Sequence, residues 1–174
     1  MGKQLTRAAR PGDAFSLAGV KSRYMRALYR GYLPAEFLKQ LHETYFLTQV
    51  QGWLEEKRQI EVLEMDGAVT GYVMYGDDPE EEGCGLILET AILPVSGGMD
   101  KAMLMNAVMG KLKGQYARVH VWTMRDNLRA RFLFDRFGFR RDGAQRTITM
   151  EGQTMDAIRL TWVAAEAGTD TADE

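Results

Sequence analysis

Val119-His-Val-Trp-Thr-Met-Arg-Asp-Asn-Leu-Arg-Ala-Arg-Phe-Leu-Phe-Asp-Arg-Phe-Gly-Phe139 reads as a strand, a turn, a helix and a second strand in quick succession. Val119 to Thr123 is β-branched and aromatic, the composition of a buried strand. Arg125 and Asp126 interrupt it, and Asn127 is a residue type whose side chain satisfies unpaired N–H groups at a helix start. From there Ala130, Leu133, Phe134 and Phe137 recur at three- and four-residue spacing, so that face turns inward while Arg129, Arg131 and Arg136 face outward. Gly138 supplies the left-handed backbone that ends a helix, and Phe139 begins another strand.

Working outward, Leu86 to Leu93 is apolar on both faces apart from Glu89 and Thr90, the pattern of a central strand. Pro94 to Gly98 is a turn, and Met99 to about Gly114 a helix with a stripe of Leu104, Val108 and Leu112. Strand, helix and strand from Leu86 through Thr123 force a parallel pair, because the helix must cross over between them. Upstream, Ile60–Met65 and Val69–Tyr75 flank Asp66-Gly67, a strong hairpin signal. In the loop from Asp77 to Gly85, the carboxylates of Asp78, Glu80, Glu81 and Glu82 are expected to face water. Near the N-terminus Leu5–Arg10 reads as a short strand. Asp13 is expected to cap a helix running to about Arg30, with Phe15, Gly19, Tyr24, Leu28 and Tyr29 on one side. Pro34 opens a second helix, or a pair, reaching about Arg58. Downstream, Phe139–Met150 and Thr154–Val163 close on a Glu151-Gly152 turn. The expectation is an α/β fold with one mixed sheet and helices on both faces, a single domain over residues 1–163. The acidic tail 164–174 has nothing to bury and is expected to be disordered.

A formal net charge of −2 argues against a general nucleic-acid binder. Between Arg125 and Arg146 seven arginines face Asp126, Asp135 and Asp142, a local surplus of four positive charges. That surplus serves either a solvated helix face or a docking edge for a polyphosphate. Cys84 is the only cysteine, so no intramolecular disulfide forms, and a reducing cytoplasm is the expected location. No apolar run approaches the roughly 18 residues of a spanning helix, and the N-terminus lacks the apolar core of a signal peptide. His42 and His120 are isolated in sequence, with no carboxylate or thiol pattern beside them, and no metal site is expected.

Four segments resemble the GCN5-related N-acetyltransferase (GNAT) family over nearly the whole chain: Arg7 to Asp13, Tyr29 to Leu38, Leu93 to Leu104 and Asn127 to Phe139. The resemblance implies a splayed parallel pair of strands, with acetyl-CoA as cosubstrate lying in the gap. It implies a pyrophosphate loop of the pattern Arg/Gln-x-x-Gly-x-Gly/Ala at Val95 to Asp100. Such a loop works because glycines let backbone N–H groups approach phosphate oxygens at the positive end of a helix. Gly98 matches the first glycine and Leu104 the family's helix leucine. Val95 stands for the Arg/Gln and Asp100 for the second small residue. A carboxylate ~5 Å from a phosphate charge, at an effective dielectric near ~20, costs on the order of 3 kcal/mol, about a hundredfold in affinity. Removing the Asp100 carboxylate is therefore expected to tighten coenzyme binding, unless it caps the helix; Ser96, Gly97 and Lys101 offset part of its charge. The cofactor contacts implied are Ile92, Leu93, Gly97, Gly98, Met99, Asp100, Lys101, Asn127, Arg131 and Phe134.

Acetyl transfer to an amine needs a base for the ammonium and often an acid for the leaving thiolate. The family's tyrosine acid, four residues before the Gly-Phe pair, is here Phe134, so water or another residue must supply that proton. Glu89, in the middle of an apolar strand, is the candidate base: desolvation would raise its pKa toward that role. The alternative is a structural pairing with an arginine or tyrosine. Tyr72 and Tyr75 on the neighbouring strand, and Tyr24, Tyr29, Tyr32 and Trp53 before it, line either a pocket or the core. The resemblance thus implies an N-acetyltransferase acting on a primary amine of a small molecule or peptide, with no nucleic-acid or membrane partner and a homodimer as one assembly. The rival is a non-catalytic GNAT-fold module binding a ligand or partner, motivated by Val95, Asp100 and Phe134 together. A dinucleotide-binding oxidoreductase is excluded because Gly97-Gly98 lacks the Gly-x-Gly-x-x-Gly spacing.

Overall fold

The computed structural model describes residues 2–165; the tail expected to be disordered lies outside them from residue 166 on. The strands are β1 (Gln4–Ala8), β2 (Gln59–Met65), β3 (Ala68–Asp77), β4 (Gly85–Ile92), β5 (Arg118–Met124), β6 (Arg140–Met150) and β7 (Gln153–Val163). The helices are α1 (Ala14–Leu28), α2 (Ala35–Gln40), α3 (Glu43–Glu55), α4 (Gly98–Lys113) and α5 (Leu128–Arg136). One sheet has the order β1-β2-β3-β4-β5-β7-β6, antiparallel throughout except for β4 beside β5. Both tight hairpins use left-handed backbone at two successive residues, Asp66-Gly67 (φ 51° and 82°) and Glu151-Gly152 (φ 48° and 72°). Paired left-handed residues match the right-handed twist of the flanking strands.

Two cores sandwich the sheet. On one face α4 and α5 pack Leu104, Met105, Val108, Met109 and Phe134 against Leu63, Val73, Ile87, Val121 and Ile158. On the other α1 and α3 pack Leu17, Val20, Phe46, Val50 and Trp53 against Ile60, Val62 and Tyr72. Among the described residues no helix is long and apolar enough to cross a membrane.

Three local expectations are corrected. The buried face of α1 carries Leu17, Ala18, Val20, Lys21 and Ser22, whereas Phe15 is exposed. Two polar residues within that face hid the stripe; Ser22 is satisfied by donating to the Leu41 carbonyl at 2.5 Å and Lys21 by a carboxylate described below. Asp13 precedes α1 without capping it. Its backbone already follows a 3-10 turn, and its carboxylate reaches back to the Arg10 N–H (2.7 Å) and the Arg7 guanidinium (2.8 and 2.9 Å). The loop between β3 and β4 does not simply face water: Asp78 is buried and bonds Nδ1 of His120 at 2.7 Å, so His120 is not isolated.

Edge strand β6 is interrupted. Its ladder with β7 runs through Arg140 and Arg141, breaks, and resumes at Gln145. Gly143 (φ 92°) turns the chain out between them. Asp142 pins this bulge, accepting from Arg159 (2.6 Å), Thr161 (2.7 Å) and the Ala144 N–H (2.9 Å).

Candidate functional site

Residue Leu88 organises the site. Tyr75 pairs with Ile87 and Met74 with Glu89, so Leu88 is an extra residue in β4, a β-bulge. A bulge bends its strand and increases the local twist. The parallel ladder between β4 and β5 consists of Gly85–Val119, Leu86–His120 and Ile87–Val121, and stops where the bulge begins. Beyond it the strands part. A cavity of about 630 Å³ lies on the α4–α5 side of the opening, lined by Ile92, Leu93, Val95, Lys101, Asn127, Arg129 and Phe134 among others. A smaller one of about 210 Å³ reaches Glu89, Tyr29, Trp122, Arg146 and Ile148. Tyr24, Thr90, Asn127 and Phe134 line both, so the two meet between the strands.

The bulge also flips the parity of β4, bringing Glu89 to the face covered by α1. Its Oε1 takes Lys21 Nζ at 2.6 Å and the Tyr72 hydroxyl at 2.5 Å. Lys21 is itself buried, its ammonium 4.8 Å from the Trp53 ring centroid and 5.1 Å from that of Phe46. Glu89 is thus paired in a polar cluster rather than stranded in an apolar one. Oε2 has no protein donor among the described residues, and Glu89 lines the smaller cavity. Burial, then the charge of Glu89 and its hydrogen bond, push the Tyr72 phenol well above its ordinary value. Burial raises Tyr24 as well; the Asn127 amide draws it partly back and Glu89 adds to the rise. Both phenols therefore hold their protons at neutral pH.

At the other side of the opening, α4 begins at Gly98 with the chain entering through Gly97. Asp100 acts as a helix cap, its Oδ2 accepting the Gly97 N–H at 2.7 Å. The Lys101 N–H reaches the Gly97 carbonyl (3.1 Å), so those of Gly98, Met99 and Asp100 are the helix's first, without an intrahelical acceptor. Ser96 turns away into the sheet and donates to Thr70 at 3.2 Å. Asn127 caps α5, Oδ1 accepting from the Ala130 N–H at 3.1 Å. Phe134 stacks edge-on against Phe139, ring centroids 5.4 Å apart, and lines both cavities. Arg131 donates to the Arg125 carbonyl at 2.9 Å and lines neither cavity, whereas Arg129 lines the larger. Gly97, Gly98, Met99 and Asp100 lie beside the larger cavity's rim residues Val95 and Lys101 without lining it.

Three site residues escaped sequence reading. Lys21 sits at helical spacing with Leu17 and Met25, but a charged side chain carries no sequence signal of a buried face. Leu88 leaves no signal, since a bulge in an apolar run looks like continued strand. Trp122 is covered by Arg146, whose guanidinium carbon lies 4.1 Å from a ring centroid; the two are distant in sequence.

No family profile and no curated protein matches this sequence. Solved structures do match. yncA from Salmonella typhimurium, solved with its cofactor acetyl-CoA, superposes with a TM-score of 0.68 at 15% identity, over 97% of this chain and 98% of that one. The acetyltransferase of the GNAT family from Streptococcus pneumoniae gives 0.66 at 16%, over 94% and 100%. The ribosomal-protein-S18-alanine N-acetyltransferase from Escherichia coli gives 0.67 at 17%, over 97% and 98%. The chain has the GNAT fold.

Proposed function

We propose that the protein is an acetyl-CoA-dependent N-acetyltransferase acting on a primary amine of a small molecule or peptide. The observation that carries this reading is the pair of cavities meeting between splayed parallel strands, with a carboxylate oxygen on one side and helix N–H groups on the other that have no protein partner among the described residues. The fold is that of structures solved with this cofactor. The unpaired edge of β4 beyond Ile87 offers backbone partners to an amide-containing arm, and the first N–H groups of α4 offer a cradle to phosphate. The smaller cavity, bounded by α1 and β6, receives the acceptor.

In this reading Glu89 Oε2 takes the proton of the acceptor ammonium, directly or through one water, and frees the nitrogen lone pair for attack on the thioester carbonyl. Lys21 and Tyr72 hold the carboxylate in place from Oε1. Tyr24 hands its phenolic proton to the departing thiolate, replacing the tyrosine that Phe134 lacks, and Asn127 orients that phenol. Solvent restores Tyr24 and removes the proton from Glu89. Asp100 spends its charge on the Gly97 N–H, which lessens its conflict with a phosphate without abolishing it.

Two measurements on the full chain test this reading: calorimetric titration with acetyl-CoA, and release of free thiol with a panel of small and peptide amines. Binding together with amine-dependent thiol release is expected. Binding without release by any amine would replace the enzyme with a ligand-binding module; no binding at millimolar coenzyme overturns both.

A further inference from the structure

The opposite end of the parallel pair holds a second cluster that acetyl transfer does not use. His120, on β5, is completely buried. Its Nδ1 lies 2.7 Å from Asp78 Oδ2, and Asp78 is held by the Glu80 N–H on its other oxygen at 2.9 Å. With Nδ1–H donating to that carboxylate, the neutral ring carries its lone pair on Nε2. That nitrogen is buried and has no hydrogen-bond partner among the described residues. Leaving such an atom unpaired costs about 1–3 kcal/mol.

Nε2 is aimed at two other donors. Glu81 Oε2 lies 3.7 Å from it, and the buried Cys84 completes a set whose ligand atoms all fall within 4.8 Å of one another. Bonds of roughly 2.0–2.3 Å to a tetrahedral zinc ion place neighbouring ligands ~3.3–3.8 Å apart, so the cluster needs to contract by only about 1 Å. The loop is preset for this: the Asp78 N–H donates to the Cys84 carbonyl at 2.8 Å and the Cys84 N–H to the Glu81 carbonyl at 3.2 Å, closing the turn around the three side chains.

We propose that Glu81, Cys84 and His120 form a zinc site, with Asp78 orienting the histidine from behind and a fourth position left to water. One thiolate and one carboxylate neutralise the ion, and the nitrogen, sulfur and oxygen donor set suits zinc over magnesium or calcium. Binding displaces the Cys84 proton to solvent. Arg118 contacts Oε1 of Glu81 at 3.3 Å and Arg159 contacts Oε2 at 3.1 Å, so Oε2, the oxygen nearest Nε2, exchanges Arg159 for the metal while Arg118 keeps Oε1. The Asp78–His120 bond is the outer-shell contact that metal-binding histidines ordinarily make. Zinc here would tie the loop before β4 to β5 and fasten the paired end of the two strands.

The test uses the full chain without an affinity tag, stripped with a chelator and returned to chelator-free buffer. Zinc alone should bind at one ion per chain and raise the thermal midpoint. Cobalt(II) should give a thiolate-to-metal charge-transfer band. Cys84→Ser should remove that band and weaken zinc at least about tenfold, and Asp78→Asn should weaken it by about 10- to 100-fold. Glu81→Gln, on the more exposed ligand, provides a variant whose folding does not depend on the buried pair. No zinc uptake by the stripped chain, or uptake unchanged in both Cys84→Ser and Glu81→Gln, overturns the site. Neither result bears on coenzyme binding, which is read separately by calorimetry.

Discussion

The two ends of the β4–β5 pair are built from the same strands and behave oppositely. At the paired end, three ladder positions hold the backbones together, and the loop carboxylates Asp78 and Glu81 are taken up by His120, Arg118 and Arg159. At the open end backbone edges, helix N–H groups and one oxygen of Glu89 lack protein partners among the described residues. One extra residue, Leu88, separates the two regimes. A sheet can thus supply ligand-binding groups simply by ceasing to pair, since every group released from a ladder must find another partner.

The comparison is broken most severely at Glu89. Glu89→Gln keeps the shape and removes the proposed base, so turnover should fall by about 10²–10⁴-fold with coenzyme affinity retained; kcat within a few-fold of the parent would return Glu89 to a structural role. Next comes the divider itself. Deleting Leu88 leaves the other β3–β4 pairs in register, should close β4 onto β5, and should cost the coenzyme at least about tenfold in affinity, roughly 1.4 kcal/mol. Unchanged calorimetric affinity in a folded deletion variant would detach the bulge from the opening. Tyr24→Phe should lower kcat about tenfold with KM little changed, and Phe134→Tyr in that background should recover part of it; absence of both effects would leave thiolate protonation to water.

Two smaller effects sharpen the contrast. Asp100→Asn keeps an acceptor for the Gly97 N–H and removes the charge, so coenzyme should bind several-fold tighter, an effect of about 1 kcal/mol, with the thermal midpoint nearly unchanged. Weaker binding would assign the carboxylate a positive role. Asp13 belongs to neither end. The Arg7 hydrogen bond holds its carboxyl below the usual range, against the opposing effect of burial. A lowered folded-state pKa stabilises above the ordinary carboxylate value, and the contribution is lost as pH falls through the folded one. Asp13→Asn should therefore cost about 2 kcal/mol at neutral pH and less in acid. Coenzyme and zinc titrations should not move; denaturant melts at both pH values check the sign.

Legibility followed locality. The Asp66-Gly67 hairpin, the crossover through α4 and the α5 stretch all appear in sequence because each rests on neighbours a few positions apart. Lys21 paired with Glu89, His120 paired with Asp78, and Tyr24 beside Asn127 do not, because each joins residues brought together only by sheet and helix packing. Glu89 was legible as an anomaly, a charge in an apolar strand, but its partners were not. Asp100 was legible as a charge in the wrong place; that its carboxylate is occupied by Gly97 depends on a helix-entry geometry that composition does not specify.

The broken ladder of β6 has a consequence for the protein in a crowded solution. A sheet's outer strand is a template onto which a stray extended chain can add, the first step toward fibrous aggregates. Here the bulge at Asp142–Ala144 cuts that template, and the piece beyond it, Gln145–Met150, is the longest continuous stretch of ladder the strand offers. Arg141 stands exposed at the other side of the break, a like charge toward any second copy arriving in register, while Arg140 is paired with Asp135. The edge that helps to enclose the smaller cavity is therefore also a poor seed.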